Sequence, residues 1–183
     1  MALSNPRKTA FAATAKTIIK NLQRNNMEGY FCETSEQARE LVASLVPQGS
    51  SVAWGGTETF KETGVKDMLE AGDYVMLDRA KAATPEEQRA VYLQHFDSDY
   101  FFMSSNAITH KGELVNIDGN SNRLACLLHG PRHVIALVGM NKVVKDVEEG
   151  LKRVRTMACP PNAARLHTGT PCETMGVCGN CHE

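Results

Sequence analysis

A chain of 183 residues and 20.0 kDa is long enough to bury a real core in one compact domain. Its 20 Lys and Arg balance 21 Asp and Glu to a net charge of -1, which argues against nucleic acid as the main partner. No apolar run approaches the roughly 20 residues of a membrane span, and the N-terminus has no apolar signal core, so a cytoplasmic protein is expected.

The elements follow in chain order. Residues 6–28 predict a helix, with Phe11, Ala15, Ile18, Ile19 and Leu22 on one face and Lys8, Lys16, Lys20 and Arg24 on the solvated one. Tyr30 to Glu33 reads as a short strand. Thr34 or Ser35 caps the next helix, which Pro47-Gln48-Gly49 ends. Ser50 to Trp54 is a buried-type strand, followed at once by Gly55-Gly56-Thr57 and a helix to about Ala71. A Gly-rich turn between a strand and a helix is a natural anion site, although it is also an ordinary tight turn. Asp73 to Asp78 is the next strand. Thr84-Pro85-Glu86-Glu87 opens a helix that ends near Asp97, with Thr84 as N-cap.

Tyr100 to Met103 is strand-like. Lys111-Gly112 turns the chain, and Glu113 to Ile117 reads as a second short strand of a hairpin. Asp118-Gly119-Asn120-Ser121-Asn122-Arg123 then leads into an apolar helix up to His129. Gly119 suits a positive φ, and Asn122 or Ser121 suits a cap. The turn holds more amides, hydroxyls and charge than a cap requires, which points to a pocket for an anionic or hydroxylated small molecule. Asp118, just before a glycine, reads as a turn residue first and a base second. Gly130-Pro131 ends the helix, His133 to Val138 is a strand, and residues 145–157 are a helix with Val147, Leu151 and Val154 inward and Lys152, Arg153 and Arg155 outward.

Strands alternating with helices predict an α/β fold with a mainly parallel sheet flanked by helices and an added hairpin. Such sheets bind ligands beyond the C-terminal ends of their strands. Trp54 to Thr57, Ser105-Asn106 and Gly139 to Lys142 lie at such ends and are expected to converge on one crevice. The α/β domain is expected over residues 1–158, with a Cys-rich tail over 159–183.

In that tail, Cys178-Gly179-Asn180-Cys181 places two thiolates within reach of one metal ion. Cys172 can fold back as a third ligand, and Cys159 or His182 can supply a fourth. Such a set suits zinc or an iron–sulfur cluster; no cofactor motif is legible in the domain itself. Cys32 and Cys126 read as core residues, and His95, His110, His129, His133 and His167 share no ligand spacing and read as surface or boundary residues.

Three segments together resemble the LUD (lactate-utilisation domain) family, especially its lactate-utilisation protein C type. They are Val52 to Gly64 (Val-Ala-Trp-Gly-Gly-Thr-Glu-Thr-Phe-Lys-Glu-Thr-Gly), Ser105 to Arg123, and Val138 to Val144, with Gly130-Pro131 between the last two. The tail, Thr170-Pro171-Cys172 and Gly176-Val177-Cys178-Gly179-Asn180-Cys181, is similar to the family's tail pattern. The resemblance implies a fold like the sugar-phosphate isomerase and coenzyme A transferase superfamily. It implies a part in oxidising lactate to pyruvate beside iron–sulfur and FAD-linked partner subunits. It carries over Gly55, Gly56, Thr57, Thr59, Asn106, Thr109, Asn116, Gly119, Asn122, Arg123, Asn141 and Lys142 as ligand-binding candidates, with Glu58, Glu62 and Asp118 as candidates for chemistry. Arg123 or Lys142 would face a small carboxylate or phosphate. The competing readings are a stand-alone isomerase or acyl-transferase on a phosphorylated or acyl substrate, and a non-catalytic metal or redox module. A homo-oligomer is compatible with each.

Overall fold

The computed structural model describes residues 5–179. In chain order it contains helix α1 (Pro6–Arg24), α2 (Ser35–Leu45), strand β1 (Ser51–Trp54), α3 (Glu58–Glu62), α4 (Val65–Ala71), β2 (Val75–Met76), α5 (Pro85–Phe96), β3 (Tyr100–Met103), β4 (Ala107–Thr109) and β5 (Leu114–Val115). It continues with α6 (Asn122–Leu128), β6 (His133–Ala136), β7 (Val143–Val144), α7 (Val147–Arg153), a π-helical turn at Val154–Ala158, α8 (Cys159–Leu166) and α9 (Pro171–Met175). These elements form two compact units. The sheet unit comprises Phe31–Ser104 and Asp118–Gly139; the hairpin unit comprises, among the described residues, 5–30, Ser105–Ile117 and 140–179.

The sheet unit has the expected α/β character. Its strands are all parallel, in the order β2-β1-β3-β6. Side chains alternate across the pleat. Val52 and Phe102 pack with Val42, Val46, Phe60, Val65 and Leu69 from α2 to α4. Ala53, Phe101 and Met103 pack with Cys126, Phe96 and Leu127 from α5 and α6. Helices therefore cover both faces, which a parallel sheet with apolar strands requires. The chain passes from β1 to β2 on one side and returns through α5 to β3 on the other, so the direction of winding reverses between β1 and β3.

The hairpin unit is built on β4 and β5, antiparallel with Ala107 opposite Val115, and β7 adds a parallel strand beside β4. Gly112, at φ 83°, makes the turn. Ala107, Val115, Val144 and Val154 form its core, with Cys159 packed against them.

Several sequence expectations change. Tyr30 to Glu33 forms no strand; Glu33 N–H donates to the Gln37 side chain, so the segment closes on the next helix instead of a ladder. The helix expected from Thr57 to Ala71 is two, because Gly64 takes a φ of 70° between them. Pro160 and Pro161 lie in the first turn of α8, directly after the π-helical turn. On α7 the inward residue is Gly150, while Val147 and Leu151 are 42% and 43% exposed. A Cβ on Gly150 would lie 2.8 Å from Val115 Cγ2, and this close approach sets which face of α7 packs. The positive φ expected at Gly119 falls instead on Ser121 (58°).

His95 is buried rather than peripheral. Its Nε2 donates to Leu77 O at 2.9 Å, which fixes the tautomer, and Tyr92 meets the ring edge-on. Burial holds its pKa below the ordinary 6.5. The folded protein therefore resists a proton that the unfolded chain accepts. Stability is full above pH 6.5 and falls as the pH drops through and below that value. Urea unfolding across this range should show the decline, and His95→Gln should flatten it. A second test concerns the turn after α6. Gly130 has a φ of 118°, and a Cβ there would meet Phe96 O at 2.9 Å. Gly130→Ala should cost about 2–4 kcal/mol in thermal unfolding. Gly119→Ala, with nothing within 4 Å of the added carbon, should change stability by less than about 0.5 kcal/mol.

Candidate functional site

The reversal of winding between β1 and β3 is where an open parallel sheet leaves a crevice at its strand ends. Gly55 follows β1 and continues the ladder by donating to Phe102 O at 2.9 Å. Ser104 follows β3. Arg123, at the second position of α6, reaches both: its Nη1 donates to Ser104 O at 2.8 Å, and its stem lies where a Gly55 Cβ would be, 3.2 Å from Cγ. Glycine at 55 is what lets the guanidinium stem approach the strand end.

Asp118 holds the other side of Arg123, with Oδ2 3.5 Å from Nε. The two side chains are only 12% and 13% exposed. Burial pushes the Arg123 guanidinium below its ordinary pKa, and Asp118 opposes that. Asp118 also accepts from Leu124 N–H at 3.2 Å and from Asn120 N–H at 3.4 Å. It therefore supplies the cap expected of Asn122 or Ser121; Ser121 makes no side-chain cap. The favoured reading of Asp118 as a turn residue matches this geometry, and the carboxylate has an electrostatic duty as well. Thr57, 7% exposed, has a hydroxyl with no hydrogen-bond partner among the described residues. Glu58 and Glu62 lie on the exposed side of α3, Glu58 3.7 Å from Lys61. Thr59 is half-buried and Gly56 exposed.

The remaining candidates belong to the hairpin unit. Thr109 is fully buried and closes the hairpin: it donates to Glu113 Oε2 at 2.7 Å and accepts from the N–H groups of Lys111 and Glu113. Asn106 Oδ1 accepts from Ile117 N–H at 3.0 Å, and Asn116 donates to Leu114 O at 3.5 Å. Asn141 is exposed and Lys142 half-buried on a turn of 3-10 helix. Arg153, read from the sequence as outward, instead turns in: Nη1 donates to Asn106 O and Nε to Asn141 O at 3.2 Å. Its position one turn after the small Gly150, on the packed side of α7, was the signal available in the sequence.

Cys159, Cys172 and Cys178 belong to the same unit. Burial raises the Cys159 pKa, and the charges of Cys178 and Cys172 raise it further, so the three thiols share a neighbourhood. Thr170 Oγ1 lies 3.2 Å from Cys172 Sγ. Cys181 and His182 lie outside the described residues, and among the described residues no three His, Cys, Asp or Glu side chains are arranged to hold a metal ion. The donors are of the right softness for zinc or iron–sulfur, but the described ones do not complete a site.

The family model described as LUD domain matches residues 15–180, nearly the whole chain. The chain belongs to the LUD domain family. LUD domains occur in lactate-utilisation proteins. No curated protein and no solved structure was found to match the chain. Among the described residues of this LUD-domain protein, no helix is long and apolar enough to cross a membrane.

The double duty of Asp118 is testable by unfolding in urea. Asp118→Ala removes the cap and leaves a buried guanidinium without its carboxylate, and should cost about 2–4 kcal/mol. Asp118→Asn keeps an acceptor for Leu124 N–H and should cost roughly half as much.

Proposed function

We propose that this LUD-domain protein is a subunit or accessory of a lactate-oxidising system and binds a small carboxylate at the C-terminal ends of β1 and β3. The observation that supports this is Arg123, a largely buried guanidinium fixed at the sheet's point of reversal, with Asp118 Oδ2 3.5 Å from its Nε. A ligand carboxylate would meet a cation that the fold has already largely desolvated. Oxidising a 2-hydroxy acid to a 2-oxo acid releases two electrons and two protons. The chain has no flavin or dinucleotide motif, so the electrons pass to iron–sulfur and FAD-linked partner subunits, and this chain binds and orients.

The thiols favour a second element of the same reading. Cys159, Cys172, Cys178 and Cys181, with His182 as the alternative fourth donor, would hold zinc or an iron–sulfur cluster. Zinc would clip the segment in place, and a cluster would accept electrons singly. The proximity of Cys172 and Cys178 to Cys159 is what supports it.

Growth tests the reading. A strain lacking the protein should fail on lactate as sole carbon source, grow normally on glucose, and recover with the wild-type chain. Arg123→Gln should restore little growth, and Arg123→Lys, which keeps the charge, should restore more. Normal growth of the deletion strain on lactate would overturn the proposal.

A further inference from the structure

We infer that the hairpin unit carries an oxyanion site of its own, in which the Arg153 guanidinium takes the carboxylate of a small monoanion through two parallel N–H bonds. This does not depend on the Arg123 site, which lies in the sheet unit.

Half-buried Arg153 donates to two backbone carbonyls, those of Asn106 and Asn141, and no Asp or Glu pairs with it among the described residues. Carbonyl dipoles fix a guanidinium but do not neutralise it. Both bonds use Nε and one Nη1 hydrogen. Nη2 has no partner among the described residues and is not among the buried unpartnered atoms, so it faces solvent. The second Nη1 hydrogen and the Nη2 group are what a planar carboxylate can engage.

The setting is rigid, as a binding site needs. Asn106 is held by Ile117 N–H, and Asn141 lies on a turn of 3-10 helix. Arg153 itself ends α7, where the π-helical turn begins, with Val154 fully buried behind it. Single π turns are often found at functional sites. Charge selects the class of ligand. Burial alone moves the Arg153 pKa, with no neighbouring charge contributing. A single guanidinium suits a monoanion better than a phosphate dianion. The alternative is that Arg153 only ties the β4 and β7 ends together.

The test uses the full chain labelled at arginine with 13C and 15N, and follows guanidinium resonances during titration with sodium lactate, sodium acetate and sodium phosphate at constant ionic strength. Arg153→Lys identifies the Arg153 signals by their loss. Saturable shifts of Arg153 with lactate and acetate are expected, and phosphate should bind more weakly. Arg153→Gln with an unchanged circular dichroism spectrum should weaken carboxylate binding roughly 10- to 100-fold. Tighter lactate than acetate binding would mean that the hydroxyl is read as well and would support a 2-hydroxy acid. Saturation by phosphate alone would overturn the assignment to a monoanion. Shifts confined to Arg123 would overturn this inference and leave the proposed function standing. No shift with any anion would make Arg153 a structural tie only.

Discussion

The contact between Asp118 and Arg123 is the constraint on which the strand ends of the sheet unit depend. Arg123 is drawn from the start of α6 onto the ends of β1 and β3, where its stem packs closely over Gly55 and its guanidinium takes the carbonyl of Ser104. Such a cation is costly to bury alone, by several kcal/mol for an unpaired charge. Asp118 offsets that cost and starts α6 through Leu124 N–H, so one carboxylate couples the helix to the charge it delivers. The pair adds little net stability compared with an apolar packing of the same volume. It holds a largely desolvated positive charge at the C-terminal ends of β1 and β3.

The hairpin unit solves a similar problem differently. Arg153 is fixed by carbonyl dipoles rather than by a carboxylate, so its charge is undiminished. The π-helical turn that follows adds a residue to the helical path between Arg153 and Cys159. It leaves Val154 in the core and Cys159 against it, near Cys172 and Cys178. A local irregularity of helix thus sets both a cation and a thiol. In each unit the functional candidates sit where regular structure stops.

The parallel sheet was legible in the sequence because its strands are apolar on both faces: Val52 to Trp54, Tyr100 to Met103 and the run from His133 cannot be mistaken for amphipathic helices. The Thr84 cap was legible for the same reason of strong local chemistry, and it forms the full capping box with Glu87. The candidate site was legible in part. Gly55 and Arg123 stand out in the sequence, but their contact does not, because it depends on α6 crossing the ends of two strands. The sequence favours Asn122 as the cap, whereas Asp118, four residues earlier, takes the Leu124 N–H across the turn. Gly64 was not legible as a break, because it sits within an apolar helical period and its positive φ is a property of the folded turn. Arg153 was hidden by its neighbours, because Lys152 and Arg155 do face solvent and the π turn shifts the period at that point.

The central claim is that Asp118 and Arg123 act as one buried pair at the end of the sheet. A double-mutant cycle on urea unfolding tests it most directly, with Asp118→Asn and Arg123→Gln singly and together. Asn and Gln retain hydrogen-bonding groups, so the cycle isolates the charge. The account predicts a coupling of about 1–3 kcal/mol, with the double variant more stable than the sum of the single losses implies. Additive losses, with coupling below about 0.3 kcal/mol, would contradict it and reduce Asp118 to an ordinary helix cap.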